Sequence, residues 1–148
     1  MGVRLLALLI AAVSGMTMAL QGTLNTSLSK VIGIMETTFV VHLVGLVFVS
    51  LLLFVLKTGQ LRPDLFGQVP LYSYLGGILG VIIVYMVMKS IPKVGVAPAT
   101  TAIILGQVFT AGVIDHLGLF GMEKMPFNWC RVCGTLLMAG GAWLLLRK

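Results

Sequence analysis

Long apolar runs alternate with short polar stretches along the whole chain. Each run is long enough to cross about 30 Å of hydrocarbon, which takes about 20 mostly apolar helical residues. The runs predict five transmembrane helices, over about residues 5–25, 33–56, 71–88, 96–114 and 127–146. Because the connections are short, we expect one polytopic, all-α membrane domain over residues 1–148.

Two prolines mark predicted helix starts. Pro70 precedes the third run and Pro126 precedes the fifth. Proline suits the first turn of a helix because its missing N–H would have no intrahelical partner there. The longest connection, LKTGQLRPDLFGQVP at residues 56–70, is polar and rich in turn-forming residues, and we expect it to lie in water.

Composition supports a membrane protein. Of the 148 residues, 59% are hydrophobic and 9% are charged, against roughly 45–50% and 25% in an ordinary soluble domain. The net charge is +6, but the ten basic residues are scattered between the apolar runs. Without a basic cluster or interleaved aromatic residues they do not predict nucleic-acid binding, and we expect them to contact water and lipid headgroups.

Glycine is frequent inside the predicted spans. Gly76 and Gly80 have GxxxG spacing in the third. Between helices in lipid, small residues allow close backbone approach, so this spacing indicates tight helix packing.

Four polar residues of the first span share one helical face, because Ser14, Thr17, Gln21 and Asn25 are spaced by three and four. Two interpretations of this stripe remain open. It is either a seam of hydrogen bonds between helices, or a face that lines a wet cavity in which a substrate binds.

Ionisable residues divide by depth. His42 is predicted near the membrane midplane of the second span, whereas Glu36 lies near the start of that span and Asp115 and His116 lie at the end of the fourth. Ionisable groups at membrane depth are functional candidates, because burying them is costly. Gln107 is an uncharged polar residue near the middle of the fourth span.

These residues form our candidate site. The predicted substrate-binding residues are Ser14, Gln21, Asn25, His42 and Gln107. For proton coupling the first candidate is His42, because imidazole changes charge near neutral pH, and the others are Glu36 and Asp115.

Enzyme chemistry is not indicated. The sequence has no recognisable nucleophile–base pair, metal cluster or phosphate-binding loop, so we expect no catalytic residue, metal or cofactor. Cys130 and Cys133 form one CxxC without a second pair. We interpret them as packing residues of a helix in preference to a redox or metal site.

Two segments resemble a known family. The run GVAPATTAIILGQVFTAGVIDHLGLFGMEKMPFNWCRVCGTLLMAGGAWLLL resembles the end of a repeat of the drug/metabolite transporter superfamily, an EamA-like half-repeat. Within that superfamily, QGTLNTSL at residues 21–28 and GQVFTAGVIDHLGLFG at residues 106–121 resemble the five-span YdcZ-type transporters.

This resemblance implies a transporter of the bacterial inner membrane. Relatives with ten spans fuse two such repeats in inverted orientation, so a five-span chain is expected to form a dimer. The small multidrug resistance proteins, by contrast, have four spans and an essential glutamate in the first. The first span of this chain contains no acidic residue, so their proton-coupling mechanism cannot be transferred to it.

The basic residues are evenly divided between the two sides of a five-span topology. One side has Arg4, Lys57, Arg62, Lys124 and Arg131, and the other has Lys30, Lys89, Lys93, Arg147 and Lys148. Because the Lys/Arg bias of short loops sets orientation, an even division predicts dual topology and an antiparallel homodimer. A sister half-repeat is the other partner that the sequence allows.

The sequence therefore favours a secondary transporter of a small molecule, acting as a dimer of inverted five-helix repeats. The alternative is a membrane subunit that transports nothing and whose polar residues only hold helices together.

Overall fold

A computed structural model describes residues 2–126 and 128–147, and these residues form helices without any strand. Five of the helices are long and apolar enough to cross a membrane in this part of the chain, as predicted. Their α-helices are α1 (Gly2–Ile32), α2 (Ile34–Ser50), α3 (Leu75–Val94), α4 (Val96–Leu117) and α5 (Trp129–Leu146). The second span continues to Val55 and the third begins at Leu71. Phe127, the predicted start of the fifth span, and Lys148 lie outside the described residues.

Shorter helical segments extend or connect these five helices. α2 continues as a π-helix over Leu51–Val55, and 3₁₀-helices lie at Pro63–Gln68, Leu71–Tyr74 and Leu119–Gly121. The long connection predicted to be polar is exposed throughout residues 56–70.

Single glycines separate two pairs of consecutive helices. Gly33 lies between α1 and α2 with φ of 96°, and Gly95 lies between α3 and α4 with φ of 94°. This left-handed region is sterically unfavourable for residues with a Cβ atom, so glycine ends each helix without a loop.

α1 extends seven residues beyond its predicted end at Asn25, to Ile32. The polar residues after Asn25 do not stop the helix because they bond within it. The Thr26 hydroxyl donates to the Gly22 carbonyl at 2.7 Å, and the Ser29 hydroxyl donates to the Thr26 carbonyl at 2.9 Å. Such back-bonding lets hydroxyl residues remain in a helix, so the stop comes at Gly33.

The chain forms two compact units, the first ending at Lys93 and the second beginning at Val94. In the first unit, the buried residues lie in the C-terminal half of α1, in the first turns of α2 and in the last turns of α3. We call this part of the three helices the packed end. Its buried residues are Gly22, Asn25, Thr26, Thr37, Thr38, Met88 and Ile91.

The remaining parts of these three helices are uncovered. Residues 2–18 of α1, 43–49 of α2 and 71–79 at the start of the third span are all exposed. Most of these side chains are apolar. Apolar side chains exposed over long parts of spans are expected where lipid or another membrane protein surrounds the helices.

The second unit is a pair of helices, α4 and α5, in contact with each other. α4 ends at Gly118, which is in the left-handed conformation with φ of 65°. The following connection returns to α4, where the Met125 N–H donates to the Asp115 carbonyl at 2.8 Å.

Candidate functional site

His42 lies at the border of the packed end, eight residues and about 12 Å beyond the start of α2. Its ring is half-buried, and Nδ1 lies 2.7 Å from the Thr38 carbonyl oxygen. The Nε2 side of the ring faces α3, where a Cβ atom added at Gly80 would lie 3.8 Å from Nε2. His42 is thus anchored on its own helix and faces a residue without a side chain on another.

The four polar residues of the α1 stripe are not equivalent. Asn25 belongs to the packed end and is only 8% exposed, whereas Ser14, Thr17 and Gln21 are exposed. The Thr17 hydroxyl donates to the Val13 carbonyl at 2.9 Å, so its donor is satisfied within the helix. The stripe therefore runs from the packed end onto the open part of α1.

The packed end brings α1 very close to α3. A Cβ atom added at Gly22 would lie 3.0 Å from Cγ1 of Val87 and 3.4 Å from Cδ1 of Ile91. Glycine at this position therefore allows an approach that a larger residue would obstruct.

Glu36 lies six residues, or about 1.7 turns, before His42, in the first turn of α2. It is exposed, and its carboxylate folds back over Gly33, contacting the place that a Cβ atom would take there. Six residues of separation correspond to about 9 Å along the helix axis. No contact between Glu36 and His42 is present in the described structure.

Gln107 and Asp115 both belong to α4 in the second unit. Gln107 is exposed, and Asp115 is half-buried. The Asp115 carboxylate lies 3.9 Å from Nη1 of Arg131, near the start of α5. Asp115 thus has a basic partner at the helix boundary.

The two cysteines and the other possible metal ligands of the described residues do not form a cluster. Cys130 and Cys133 form no disulfide and are exposed on the first two turns of α5. Among the described residues, no three His, Cys, Asp or Glu side chains lie close enough together to hold a metal ion.

Sequence reasoning did not single out two threonines beside the site. The Thr38 carbonyl orients His42. Residues four apart are neighbours on a helix surface, so the residue four positions before a helical histidine is a candidate hydrogen-bond partner. Thr37 is fully buried, and its hydroxyl has no hydrogen-bond partner among the described residues. An unpaired buried hydroxyl costs roughly 1–3 kcal/mol, a cost that sequence pattern does not reveal.

Comparisons with known proteins place the chain in a family. A profile of the family described as "Putative inner membrane exporter, YdcZ" matches residues 6–144. The "Inner membrane protein YdcZ" of Escherichia coli (strain K12) is 28% identical, over 97% of this chain and 95% of that protein. No solved structure matches the chain. The resemblance seen in the sequence is confirmed, and the chain is an inner membrane protein that belongs to the YdcZ family.

Proposed function

We propose that this protein is a secondary transporter that exports a small molecule as an antiparallel dimer of five-helix repeats, with His42 coupling export to protons. Family membership supports the transporter role. The observation that carries the proposal is the polar stripe of α1, which continues onto the uncovered part of a membrane-spanning helix.

Gln21 shows why lipid is an unsuitable neighbour for this stripe. Its carboxamide is exposed and has no hydrogen bond within the described residues. An unpaired amide in an apolar environment costs roughly 2–7 kcal/mol, whereas a water-filled cavity or a second chain can satisfy it. We therefore expect water, substrate or a partner chain to cover this face of α1.

A second copy of the chain is the partner we propose. The basic residues divide equally between the two sides of the topology, which favours insertion in both orientations. Two oppositely inserted copies would form an inverted repeat with a site near the midplane, the arrangement that many secondary transporters use. Gln107 and the residues of the α1 stripe would then contribute to the substrate site.

His42 is the proton carrier in this proposal because it lies at membrane depth. The other titratable and charged residues of the helices around it are Arg4 and Lys30 on α1, Glu36 on α2, and Tyr85, Lys89 and Lys93 on α3. None of them forms a hydrogen bond or ion pair with His42 in the described structure. An imidazole in this position can take up a proton when one side of the membrane is open and release it when the other side opens.

Flux through the pure protein tests the proposal. The full chain is reconstituted into liposomes and screened by solid-supported membrane electrophysiology against a panel of small solutes under an imposed pH gradient. We expect a solute-dependent current that disappears in His42→Gln, with the variant still dimeric. A folded dimer that gives no current with any solute would instead favour the non-transporting membrane subunit.

A further inference from the structure

The hydrogen bond of His42 determines which nitrogen carries the proton in the neutral ring. Nδ1 lies 2.7 Å from the Thr38 carbonyl oxygen. A carbonyl oxygen can only accept, so Nδ1 must donate. In the neutral imidazole the other nitrogen, Nε2, is then an acceptor with a free lone pair.

Gly80 leaves space beside this acceptor. A methyl group at that position would lie 3.8 Å from Nε2, in ordinary van der Waals contact, and with glycine that space stays free. His42 is half-buried, and the residues that follow it on α2, 43–49, are exposed. Nε2 is therefore placed where the packed end meets the open part of the helices.

Fixed negative charge is missing from the interior of the spans. Each of the four acidic residues of the chain is at a helix end or in a connection: Glu36, Asp64, Asp115 and Glu123. On α3 the Tyr85 ring already has the Lys89 ammonium 5.6 Å from its centroid. A permanently charged cation would thus find no carboxylate at the depth of His42, whereas a neutral molecule needs none.

We infer that Nε2 of His42 accepts a hydrogen bond from the transported molecule, and that this molecule carries no permanent positive charge and presents a hydroxyl or N–H donor in the space beside Gly80. This inference rests on the proposed transport function and adds to it the chemical class of the substrate. His42 then has two uses: its neutral form binds the substrate, and its protonation removes the acceptor and releases the substrate.

The tautomer can be measured directly. His116→Gln leaves His42 as the one histidine of the chain, and ¹⁵N NMR of the imidazole in this variant separates protonated from bare ring nitrogens. At alkaline pH we expect a protonated Nδ1 and a bare Nε2. A protonated Nε2 with a bare Nδ1 would overturn the inference.

The substrate class is tested with two probes of the same shape. 3,3-Dimethyl-1-butanol is the neutral carbon analogue of choline, and both carry one hydroxyl donor. We expect the alcohol, but not choline, to shift the Nε2 resonance of His42 in a saturable way. An equal response to both probes, or none to the alcohol, would reject the inference that the ligand is a donor without a permanent positive charge.

Gly80→Ala provides the steric control. The added methyl group would lie in ordinary van der Waals contact with Nε2, so we expect the variant to fold. Because the methyl group covers the acceptor, the response to the alcohol should fall severalfold. Gly77→Ala, at a position with nothing within 4 Å, should respond as the parent does. Equal responses in the two variants would show that the ligand does not approach past Gly80.

These measurements do not depend on transport. An intact response to the alcohol together with no flux in liposomes would reject the transport function and leave the acceptor site. Intact flux without the response would reject the acceptor site and leave the transport function.

Discussion

Arg131 binds Asp115 and the connection that lies between them in sequence. Its Nη1 lies 3.9 Å from the Asp115 carboxylate and donates to the Met125 carbonyl at 3.2 Å. Its Nη2 lies 3.7 Å from the Met125 sulfur. One side chain near the start of α5 thus stabilises the connection that follows α4.

The two partners should differ in their contribution to stability. The ion pair is long and partly exposed, and such pairs contribute at most about 1 kcal/mol, so Asp115→Asn should change the melting temperature little. Arg131→Ala also loses the bond to the Met125 carbonyl and should lower it more. Thermal unfolding of both variants in detergent measures the difference, and equal effects would mean that the ion pair accounts for the whole contribution.

Membrane orientation is the second test. C-terminal alkaline phosphatase and green fluorescent protein fusions should both give signals, because the basic residues divide equally. Arg4→Ala should change the ratio of the two signals more than Arg131→Ala. Arg4 is exposed in the first turn of α1, whereas Arg131 is bound to Asp115. Signal from one side alone in the wild type would exclude dual topology.

The close approach of α1 to α3 gives a third prediction. Gly22→Ala places a methyl group 3.0 Å from Cγ1 of Val87, which must then move. Overpacking of this kind costs about 1–3 kcal/mol, so the melting temperature should fall. Gly15→Ala lies on the same helix with nothing within 4 Å and should not lower it, because alanine favours a helix over glycine. A similar loss in both variants would attribute the effect to the helix backbone.

Proton coupling gives the fourth prediction. His42→Gln keeps a polar side chain but cannot titrate near neutrality, so the proton-coupled current should be lost and any solute flux that remains should not depend on pH between about 5.5 and 8. Glu36→Gln and Asp115→Asn should keep the wild-type profile. A normal profile in His42→Gln together with a flat one in either carboxylate variant would move the coupling site to the helix boundary.

The helices could be predicted from the chain because run length in a membrane protein is set by the thickness of the bilayer. The end of α1 was less predictable, since Thr26 and Ser29 are polar in composition but satisfied within the helix. What ends it is the backbone conformation of Gly33.

The details around His42 could not be predicted, for a geometric reason. Its depth follows from its place in the run, but the bond from Nδ1 depends on its rotamer. Gly76 and Gly80 were both candidates for a close contact, and only the rotation of α3 about its axis makes Gly80 the one beside the ring. The pair of Asp115 and Arg131 likewise depends on how the connection folds back.

The single-glycine junctions at Gly33 and Gly95 limit where the protein can be modified. An inserted epitope, fluorophore or crystallisation partner needs exposed backbone that no long helix uses, and neither junction has any. The segment from Lys57 to Arg62 is exposed and lies between helical elements. Engineering for antibody-based structure determination should therefore begin there, at the one connection of the first unit long enough to accept an insertion without breaking a span.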